Sequence, residues 1–515
     1  MDLKSGRMVL YRGSLKSCNY RCSYCPFSKH PRSERELLND KQQWLQFCKS
    51  VADRAEKLNI HAVMVVPYGE ALIHPWYWEG LGSLGAMMCM DNVGAQTNCS
   101  FSLERSLEIY EHAGGKKQKL RLWATFHPEM TTPEEFGEKC RKLHKAGIAI
   151  SAGAVGAVEN LDIIKRLRRE LPEETYLWIN KMDGLKRKYT KEEQTAFEQI
   201  DPYFMRELEF IPSDPSMCTN RLFVESDGKL RRCNISRVLP VNWYDRWETV
   251  FDELKEGKDL KCGKKTCSCF LAYGGRDEVM NRILFGNYPL FRIPGKPKAV
   301  FLDIDKTLIP EGETCMPRRT ITDIQALANQ GCRLFFATSL PLAEAKHKCR
   351  EVWNLFAGGI FAGGAHVVLQ GDERRKERFL PVDRELLLLL EQLKRKYGFR
   401  ILTYENSGLI YKITLVRPKH MGWKEEAAAL EKEWSETASG NQVRSFAEDN
   451  CLQIVNAKAS KAGGVKQICH WLRIEPKEAA AAGDSEEDKE MMELCLSSGT
   501  AASMDGISAA SVCTQ

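Results

Sequence analysis

The 515-residue sequence contains no long apolar run and no strong excess of charge of either sign. Its longest uninterrupted leucine stretch, Leu386–Leu390, falls far short of the roughly 18 apolar residues that suggest a membrane span. The N-terminus lacks a basic segment followed by an apolar one, so we expect a cytoplasmic protein without a secretory signal. The net charge of +6 is spread over both signs, and no basic face with interleaved aromatic residues argues for nucleic acid as a partner.

A chain of this length exceeds the usual size of one hydrophobic core, so we expect two or three domains. A stretch rich in proline and glycine predicts a linker near residue 295. We predict a first domain over residues 1–217, a cysteine-rich extension over 218–290, a linker over 291–297, a last domain over 298–370 and 457–515, and an insertion into it over 371–456.

Nineteen cysteines in a large chain without a signal sequence indicate reduced thiols and metal sites rather than disulfides. Most cysteines lie singly in apolar surroundings, as core residues do. Eight are grouped into two sets: Cys18, Cys22 and Cys25, then Cys218, Cys233, Cys262, Cys267 and Cys269.

The first set lies in one loop, where Cys18, Cys22 and Cys25 can converge on a single small inorganic group and Tyr24 precedes the third cysteine. Thiolates bind iron–sulfur clusters, and three of them on a [4Fe–4S] cluster leave one iron open. A zinc site would need a fourth ligand nearby, but no further cysteine or histidine follows until His30.

Residues 1–217 alternate between β-branched apolar runs and amphipathic stretches, which favours an α/β fold with a parallel sheet. The first run ends just before the cysteine loop. The strands are predicted at 8–11, 62–66, 93–97, 120–126, 148–155 and 175–180, and the helices at 33–57, 76–87, 103–112, 133–145 and 161–170.

The cysteine loop resembles the signature of the radical S-adenosylmethionine (radical SAM) superfamily. The resemblance implies a partial (β/α)6 barrel and a [4Fe–4S] cluster whose open iron binds S-adenosylmethionine. It also implies a 5′-deoxyadenosyl radical that takes hydrogen from a small-molecule or peptide substrate, and an electron donor such as flavodoxin or ferredoxin. The opening Leu-Tyr-Arg-Gly and the run Ser-Cys-Asn-Tyr-x-Cys-x-Tyr-Cys-Pro-Phe are similar to those of one group of bacterial radical SAM proteins.

The resemblance places further cofactor contacts at strand ends. Tyr68 and Cys99 stand where the family has glycine. An ordinary strand-end carboxylate remains the alternative for the glutamate after the second strand. The residues that the resemblance assigns to the cofactor are Tyr24, Gly69, Glu70, Asn98, Gly156 and Glu159.

The second cysteine set surrounds Asp227-Gly228, which predicts a hairpin turn that brings Cys218 and Cys233 together. The set resembles the twitch-like extension that holds an auxiliary cluster in many radical SAM enzymes, which implies a second [4Fe–4S] cluster. A structural zinc bound by four of the five thiolates is the alternative, because zinc accepts the same ligands.

After the linker, an apolar run delivers Asp303 and Asp305 at its carboxyl end. Residues i and i+2 of an extended strand point to the same side, so one carboxylate can attack a phosphoryl group while the other moves a proton. Three further candidate segments follow: Thr338 after a strand, Lys461 at a helix start, and Asp484 with Asp488 after another strand.

These four segments resemble, in order, the motifs of the haloacid dehalogenase (HAD) phosphatases. The resemblance implies a Rossmann-like domain in which Asp303 is the nucleophile, Asp305 the proton donor, Thr338 the phosphoryl-binding hydroxyl and Lys461 the charge-neutralising group. It further implies Mg²⁺ bound by Asp303, Asp305, Asp484 and Asp488. Three positions depart from the pattern: Lys306 and Ser339 stand for glycine, and Glu487 for asparagine.

The insertion is predicted to fold in the order helix, two strands, helix, two strands. This pattern resembles the α+β cap of the Cof-type branch, which closes over small phosphorylated metabolites. The whole sequence therefore predicts a bifunctional enzyme, with radical chemistry in one half and phosphomonoester hydrolysis in the other. The alternative keeps one half non-catalytic, for example as a binding or redox-sensing module.

Overall fold

The computed structural model describes residues 6–23, 25, 32–208, 218, 220–254, 262–267, 269–275, 279–295, 297–329, 331–370, 375–418, 423, 426–435, 437, 442–448, 451–495 and 497–500. The chain forms two compact units. The boundary between them along the sequence lies between Gly295 and Lys296, inside the predicted linker. We call them the N-terminal unit and the C-terminal unit. No helix in the described ranges is both long and apolar enough to cross a membrane.

The N-terminal unit begins with the predicted alternation of strands and helices. Its strands are β1 (Arg7–Arg12), β2 (Ile60–Val65), β3 (Asn92–Thr97), β4 (Leu120–Thr125), β5 (Ala149–Gly156) and β6 (Leu177–Lys181). Its helices are α1 (Glu34–Arg54), α2 (Pro75–Ala86), α3 (Leu103–His112), α4 (Pro133–Lys145) and α5 (Leu161–Glu170). The six strands are parallel and lie in chain order, so each helix crosses to the neighbouring strand.

Three more strands extend this sheet beyond β1, in the order β7 (Arg221–Glu225), β8 (Lys229–Arg231) and β9 (Val238–Asn242). The predicted hairpin is β7–β8, and Gly228 adopts the left-handed conformation that its turn needs. Strand β9 was not predicted, because its residues are exposed or half-buried and lack an apolar alternation. The remaining helices of the unit are α6 (Lys191–Glu198), α7 (Phe204–Leu208), α8 (Trp247–Leu254), α9 (Phe270–Tyr273) and α10 (Val279–Phe285).

Both faces of this sheet are covered. The larger core packs helices against one face, with Trp44, Phe47 and Trp78 fully buried. On the other face, Met8, Met64 and Trp123 belong to a second core cluster. The later residues of the same unit in this cluster are Leu271, Tyr288, Leu290 and Phe291. The first residues of the predicted linker therefore belong to the N-terminal unit: Phe291 and Arg292 are buried, and Ser151 Oγ donates to the Phe291 carbonyl at 2.7 Å.

The core of the C-terminal unit is a seven-stranded sheet in the order β14, β13, β12, β11, β10, β19, β20. Its strands are β10 (Ala299–Leu302), β11 (Arg333–Ala337), β12 (Phe356–Phe361), β13 (His366–Leu369), β14 (Lys376–Phe379), β19 (Ala479–Gly483) and β20 (Ser497–Thr500). Its helices are α11 (Arg318–Asn329), α12 (Leu342–Lys348), α15 (Lys461–Leu472) and α16 (Glu486–Leu494). Strands β10 to β12, β19 and β20 are parallel, and β13 and β14 form an antiparallel edge.

The insertion folds as a four-stranded antiparallel sheet with two helices, as its pattern predicts, and we call it the cap. Its elements are α13 (Arg384–Tyr397), β15 (Arg400–Asn406), β16 (Leu409–Val416), α14 (Glu426–Ser435), β17 (Val443–Glu448) and β18 (Cys451–Asn456). The strand order is β15, β16, β18, β17. One sheet face packs Ile413, Leu415, Leu452 and Ile454 with the apolar sides of both helices.

The cap begins later than the predicted residue 371, because β14 pairs with β13 and belongs to the core sheet. Strand β14 was missed because it is a polar edge strand with no buried residue. The chain leaves the core near Pro381 and returns near Asn456, where Asn456 Nδ2 donates to the Pro381 carbonyl at 2.8 Å.

Candidate functional site

In the C-terminal unit, three neighbouring parallel strands each end at a predicted site residue. Asp303 follows β10, Thr338 follows β11 and Asp484 follows β19. Since the carboxyl ends of parallel strands meet at one edge of a sheet, the motifs that lie far apart in the chain converge there. Asp303 and Thr338 are buried, and Asp484 is more exposed.

Lys461 lies between two carboxylates at this edge. Its Nζ is 2.9 Å from Asp303 Oδ1 and 2.7 Å from Asp488 Oδ1. Lys461 is the first residue of α15, which Ser460 caps by accepting from the Gly463 N–H at 2.9 Å. All three charged groups are buried, so their mutual attraction is far stronger than that of an exposed ion pair.

Burial changes the protonation of this triad. It raises the pKa of Asp303 to about 7, against the opposing effect of Lys461 and with a further contribution from Asp488. Burial alone would lower the pKa of Lys461, but the charges of Asp303 and Asp488 outweigh it and raise the pKa. The Lys461 ammonium therefore stays charged at neutral pH.

A carboxylate oxygen from each of Asp303, Asp484 and Asp488 lies within 4.8 Å of the others. Oxygen ligands at this spacing suit a hard divalent cation such as Mg²⁺. Burial and the charge of Asp488 raise the pKa of Asp484. A bound cation would lower this pKa again, because it stabilises the ionised carboxylate. The residues present thus fit the metal that the sequence predicts.

Asp305 lies beside this group but not within it. Its carboxylate pairs with Lys348 of α12, and the three-carboxylate group does not include it. Lys306, which stands where the family pattern has glycine, adopts a left-handed backbone with φ of 58°. That conformation explains why glycine suits the position. Thr338 Oγ1 accepts the Leu340 N–H at 3.1 Å, which fixes the loop after β11.

The family model of the haloacid dehalogenase-like hydrolases matches residues 300–421 and 391–505. Residues 300–505 form a HAD-like hydrolase domain. A curated relative, the mannosyl-3-phosphoglycerate phosphatase of Pyrococcus furiosus, is 24% identical over an alignment of 222 residues, and the match covers 38% of this chain and 88% of the relative.

Two solved structures are similar to part of the chain. A haloacid dehalogenase-like hydrolase from Bacteroides thetaiotaomicron is 19% identical, with a TM-score of 0.34, and the match covers 39% of this chain and 86% of that one. A HAD subclass IIB sugar phosphatase is 18% identical, with a TM-score of 0.33 and coverage of 39% and 86%.

Within the HAD domain, the cap sheet contacts the core through three polar side chains that the sequence did not single out. Tyr404 donates to Glu344, and Lys412 Nζ donates to the Ser339 carbonyl at 2.7 Å. Arg444 pairs with Glu487 at 2.9 Å. The glutamate that replaces the usual asparagine at position 487 is therefore the core's partner for a cap arginine.

In the N-terminal unit, the cysteine loop follows β1 as predicted. Asp40 of α1, which is fully buried, accepts from the Leu15 N–H and from the Tyr77 hydroxyl, and so holds the start of the loop. Cys22 is buried, and Cys18 and Cys25 are half-buried. Tyr24 and His30 lie outside the described residues.

Glu70 and Asn98, which the sequence assigns to the cofactor, are joined in this structure. The buried Glu70 carboxylate accepts the N–H groups of Leu72 and Asn98 and the hydroxyl of Thr97. Burial raises the pKa of Glu70 to about 7, although these donors favour its charged form. Asn98 Nδ2 in turn lies 3.6 Å from Cys18 Sγ, so the ends of the first three strands form one bonded group.

The other predicted residues lie around the same sheet edge. Gly69 leaves no room for a side chain, because an added Cβ would meet the Ser17 carbonyl at 1.7 Å. Gly156, at the end of β5, accepts the Tyr189 hydroxyl through its carbonyl, and Glu159 is exposed. His127 packs edge-on against Tyr20 of the cysteine loop, and burial lowers its pKa to about 4.

The second cysteine set surrounds a buried arginine. Arg221 donates to Cys218 Sγ at 3.1 Å. Burial alone would lower the pKa of Arg221, but the electrostatic influence of Cys218, Cys233 and Cys267 outweighs it and raises the pKa. Cys262 belongs to the same neighbourhood: burial raises its pKa, and Cys233 and Cys218 raise it further.

Cys269 has different neighbours. Its sulfur accepts from Asn234 Nδ2 at 3.1 Å. Arg221 could not be selected from the sequence, because one arginine at a strand start carries no pattern. Cys218, Cys233 and Cys267 thus lie near Arg221, with Cys262 near Cys218 and Cys233, whereas Cys269 lies beside Asn234. Among the residues that the structure describes, no three of these five sulfur atoms lie within 4.8 Å of one another.

Proposed function

We propose that the HAD domain hydrolyses small phosphomonoesters, with sugar phosphates as the substrate class. The observation that carries the proposal is Lys461 held between Asp303 and Asp488, with Asp484 completing a carboxylate group suited to Mg²⁺. The similar mannosyl-3-phosphoglycerate phosphatase of Pyrococcus furiosus supports the substrate class by its name.

In this mechanism an Asp303 oxygen attacks phosphorus, the bond to the leaving oxygen breaks, and an acyl phosphate forms. Asp305 gives its proton to the leaving oxygen and then takes one from the water that hydrolyses the acyl phosphate. Thr338 binds a phosphoryl oxygen and Lys461 offsets the accumulated negative charge. Asp303, Asp484 and Asp488 would hold Mg²⁺, which neutralises phosphoryl charge when bound.

Replacing Asp303 by Asn tests this proposal in the intact chain. We expect hydrolysis of p-nitrophenyl phosphate with Mg²⁺ to fall about 10⁴-fold or more, since loss of a nucleophile is among the largest single effects in enzymes. The matched control is Glu311→Gln, because Glu311 is an exposed carboxylate whose described partner is Lys306. Turnover in the Asp303→Asn variant equal to that of the native protein would refute the mechanism.

We infer that the N-terminal unit is a radical SAM enzyme, so that the chain is bifunctional. The three cysteines in the loop after β1 support this inference, and one of them, Cys18, contacts Asn98 at the end of β3. Their thiolates suit an iron cluster, which would supply the electron that cleaves S-adenosylmethionine. The residues that would line the cofactor site are Gly69, Glu70, Asn98, Gly156 and Glu159. The hydrogen bonds that the Glu70 carboxylate accepts would also hold this site in shape.

Release of 5′-deoxyadenosine tests the radical function. Anaerobically reconstituted protein with dithionite and S-adenosylmethionine should release it, and Cys22→Ala should abolish the release. Cys140→Ala is the matched control, because Cys140 is a buried thiol of α4. A reconstituted protein that binds S-adenosylmethionine but never cleaves it would favour the alternative of a binding or redox-sensing module.

For the second cysteine set we propose that Cys218, Cys233, Cys262 and Cys267 are the ligands of one metal group, and that Cys269 is the spare. The shared neighbourhood of Arg221 supports this choice. Metal analysis of a Cys18, Cys22, Cys25 triple-alanine variant distinguishes the two candidate groups. About four irons per chain indicates a second cluster, whereas one zinc without iron indicates a structural zinc site.

A further inference from the structure

Arg292 is a fully buried arginine of the N-terminal unit that the mechanisms above do not use. Its guanidinium lies among three aromatic rings, with Cζ 4.1 Å from the ring centroid of Trp123, 3.5 Å from that of Trp178 and 2.9 Å from that of Phe270. Aromatic faces attract a cation. They do not accept the in-plane N–H groups of a guanidinium as an oxygen does, so those groups need other partners.

Most of these partners are missing. Arg292 Nη2 donates to Asn180 Oδ1 at 3.4 Å, whereas Nε and Nη1 are buried and have no acceptor among the described residues. The indole nitrogen of Trp123 is likewise buried, and no acceptor for it lies in the described part of the chain. Donor nitrogens from two adjacent side chains are therefore left without a matching oxygen.

Two buried carboxylates near the guanidinium do not supply that oxygen. Asp201 accepts two backbone N–H groups at 2.8 and 3.0 Å, and Glu207 accepts the indole N–H of Trp178 at 3.0 Å. Burial lowers the pKa of Arg292 well below its usual value, and the attraction of Glu207 and Asp201 does not outweigh this effect. A buried charge is costly unless it is both paired and hydrogen-bonded, and Arg292 is short of hydrogen bonds.

The same face of the sheet leads from this arginine to the cysteine loop. Trp123 pairs with Gln96 of β3, and residues paired on neighbouring parallel strands project to the same face. Two residues further along, at a rise of about 7 Å, Asn98 contacts Cys18. Gln96 and Asn180 are half-buried, so this face is accessible to solvent beside the buried guanidinium.

Unpartnered donors fit a ligand group whose oxygens only accept hydrogen bonds. An ionised carboxylate is such a group, and its single negative charge matches one guanidinium. A phosphate dianion would bring a second charge into a site where two carboxylates already oppose it.

We propose that Arg292 and Trp123 bind the carboxylate group of a small-molecule ligand. The assignment of this ligand as the substrate of the radical reaction rests on the radical function proposed above. It narrows that substrate to a molecule with a free carboxylate.

Acetate and acetamide test the proposal on the native chain, because they have nearly the same shape and differ in charge. Hydrogen exchange of peptides from β4 and β6 measures binding, with sodium chloride added to equal ionic strength. We expect acetate to slow exchange in a saturable way, by about tenfold at ten times its dissociation constant, and acetamide to have no effect. Peptides from β10 and β19 of the C-terminal unit should not respond.

Two substitutions locate the effect. Arg292→Met keeps an unbranched side chain without the donors, so it should abolish the response to acetate. Trp123→Phe keeps a ring without the indole N–H and should weaken acetate binding about tenfold, as the loss of one hydrogen bond to a charged group does. Arg35→Met is the matched control, because Arg35 is an exposed arginine of α1, and it should respond to acetate as the native chain does.

Equal effects of acetate and acetamide on the native chain overturn the proposal, and this comparison does not depend on the folding of a variant. An unchanged response to acetate in Arg292→Met overturns it as well. Protection by inorganic phosphate without protection by acetate overturns the choice of a carboxylate. If acetate protects but the reconstituted native protein releases no 5′-deoxyadenosine, the carboxylate site stands and the radical function fails.

Discussion

The two units assemble their candidate sites at the same place in a sheet but hold them together by different forces. In the C-terminal unit a buried ammonium, Lys461, joins two carboxylates from separate elements. In the N-terminal unit a buried carboxylate, Glu70, joins the ends of two strands through backbone N–H groups and a hydroxyl. The first arrangement depends on opposite charges, and the second on neutral donors around one charge.

The difference shows what each site can tolerate. A salt-bridged triad loses its balance when its lysine is removed, because the two remaining buried carboxylates then have no counter-ion. A buried carboxylate that accepts hydrogen bonds from neutral donors instead loses stability when it ionises, because burial disfavours its charged form. The two sites should therefore respond to different perturbations, substitution in one case and pH in the other.

The largest expected effect is on the charged triad. Lys461→Met should lower the free energy of unfolding of the C-terminal unit by about 3–5 kcal/mol in the presence of EDTA, because Asp303 and Asp488 are left buried without their cation. Hydrogen exchange of peptides from β10 and β19 measures this unit separately from the other. Lys432→Met, at an exposed position, should have little effect.

The double variant Asp303→Asn, Lys461→Met should lose clearly less than the sum of the two single variants, because one of the stranded charges is gone. Additive losses would contradict the description of the triad as an electrostatic unit.

The N-terminal site should respond to pH. The pKa of Glu70 is about 7 in the folded chain and about 4.5 in the unfolded one. A raised folded pKa contributes stability that is complete below pH 4.5 and is lost as the pH rises through 7. We expect the unfolding free energy of the N-terminal unit to fall by about 3 kcal/mol across this window, and Glu70→Gln to remove that dependence.

Hydrogen exchange of peptides from β2 and β3 at several pH values measures the effect of Glu70. Glu104→Gln is the control, because Glu104 is an exposed residue of α3. A Glu70→Gln variant with the same pH dependence as the native chain would mean that another group causes it.

A smaller effect tests whether opposite charges stabilise the cap contact as they do the triad. Arg444 and Glu487 are partly exposed, with 32% and 23% of their side chains accessible. A double-mutant cycle with Arg444→Ala and Glu487→Ala should give a coupling energy of about 0.2–1 kcal/mol that weakens with added salt. A coupling energy of several kcal/mol would instead mean that this pair is as strong as the buried ion pairs of Lys461.

The smallest effect concerns Lys306. Its left-handed backbone costs about 1–2 kcal/mol relative to glycine, and the greater freedom of glycine in the unfolded chain offsets about half of that. Lys306→Gly should therefore stabilise the C-terminal unit by about 0.5–1 kcal/mol in thermal unfolding. Lys306→Ala keeps the Cβ and should bring no such gain.

Sequence patterns predicted those features that are periodic or carried by a motif. Helices α3, α4 and α5 match their predicted bounds, because an apolar stripe marks each of them clearly. The carboxylates and the lysine of the HAD domain were found by their order along the chain. Strands β9 and β14 were missed because exposed edge strands carry no apolar alternation.

The partners of the motifs could not be predicted, since they depend on contacts between distant parts of the chain. Asp40 holds the cysteine loop from a helix, and Arg221 lies among cysteines from two other segments. Lys412 reaches Ser339 across the fold. The departure at Glu487 was visible in the sequence, and the presence of Arg444 opposite it required the structure.

The hydrogen bond from Asn456 to Pro381 has a consequence for the modular architecture of the HAD domain. The chain leaves and re-enters the core at two points that are 2.8 Å apart between the Asn456 amide nitrogen and the Pro381 carbonyl oxygen. A tight turn can bridge ends so close together, so the core pays almost no loop-closure entropy for the insertion. The cap can thus be exchanged for one of another size or specificity while the core sheet and its four motifs stay in register.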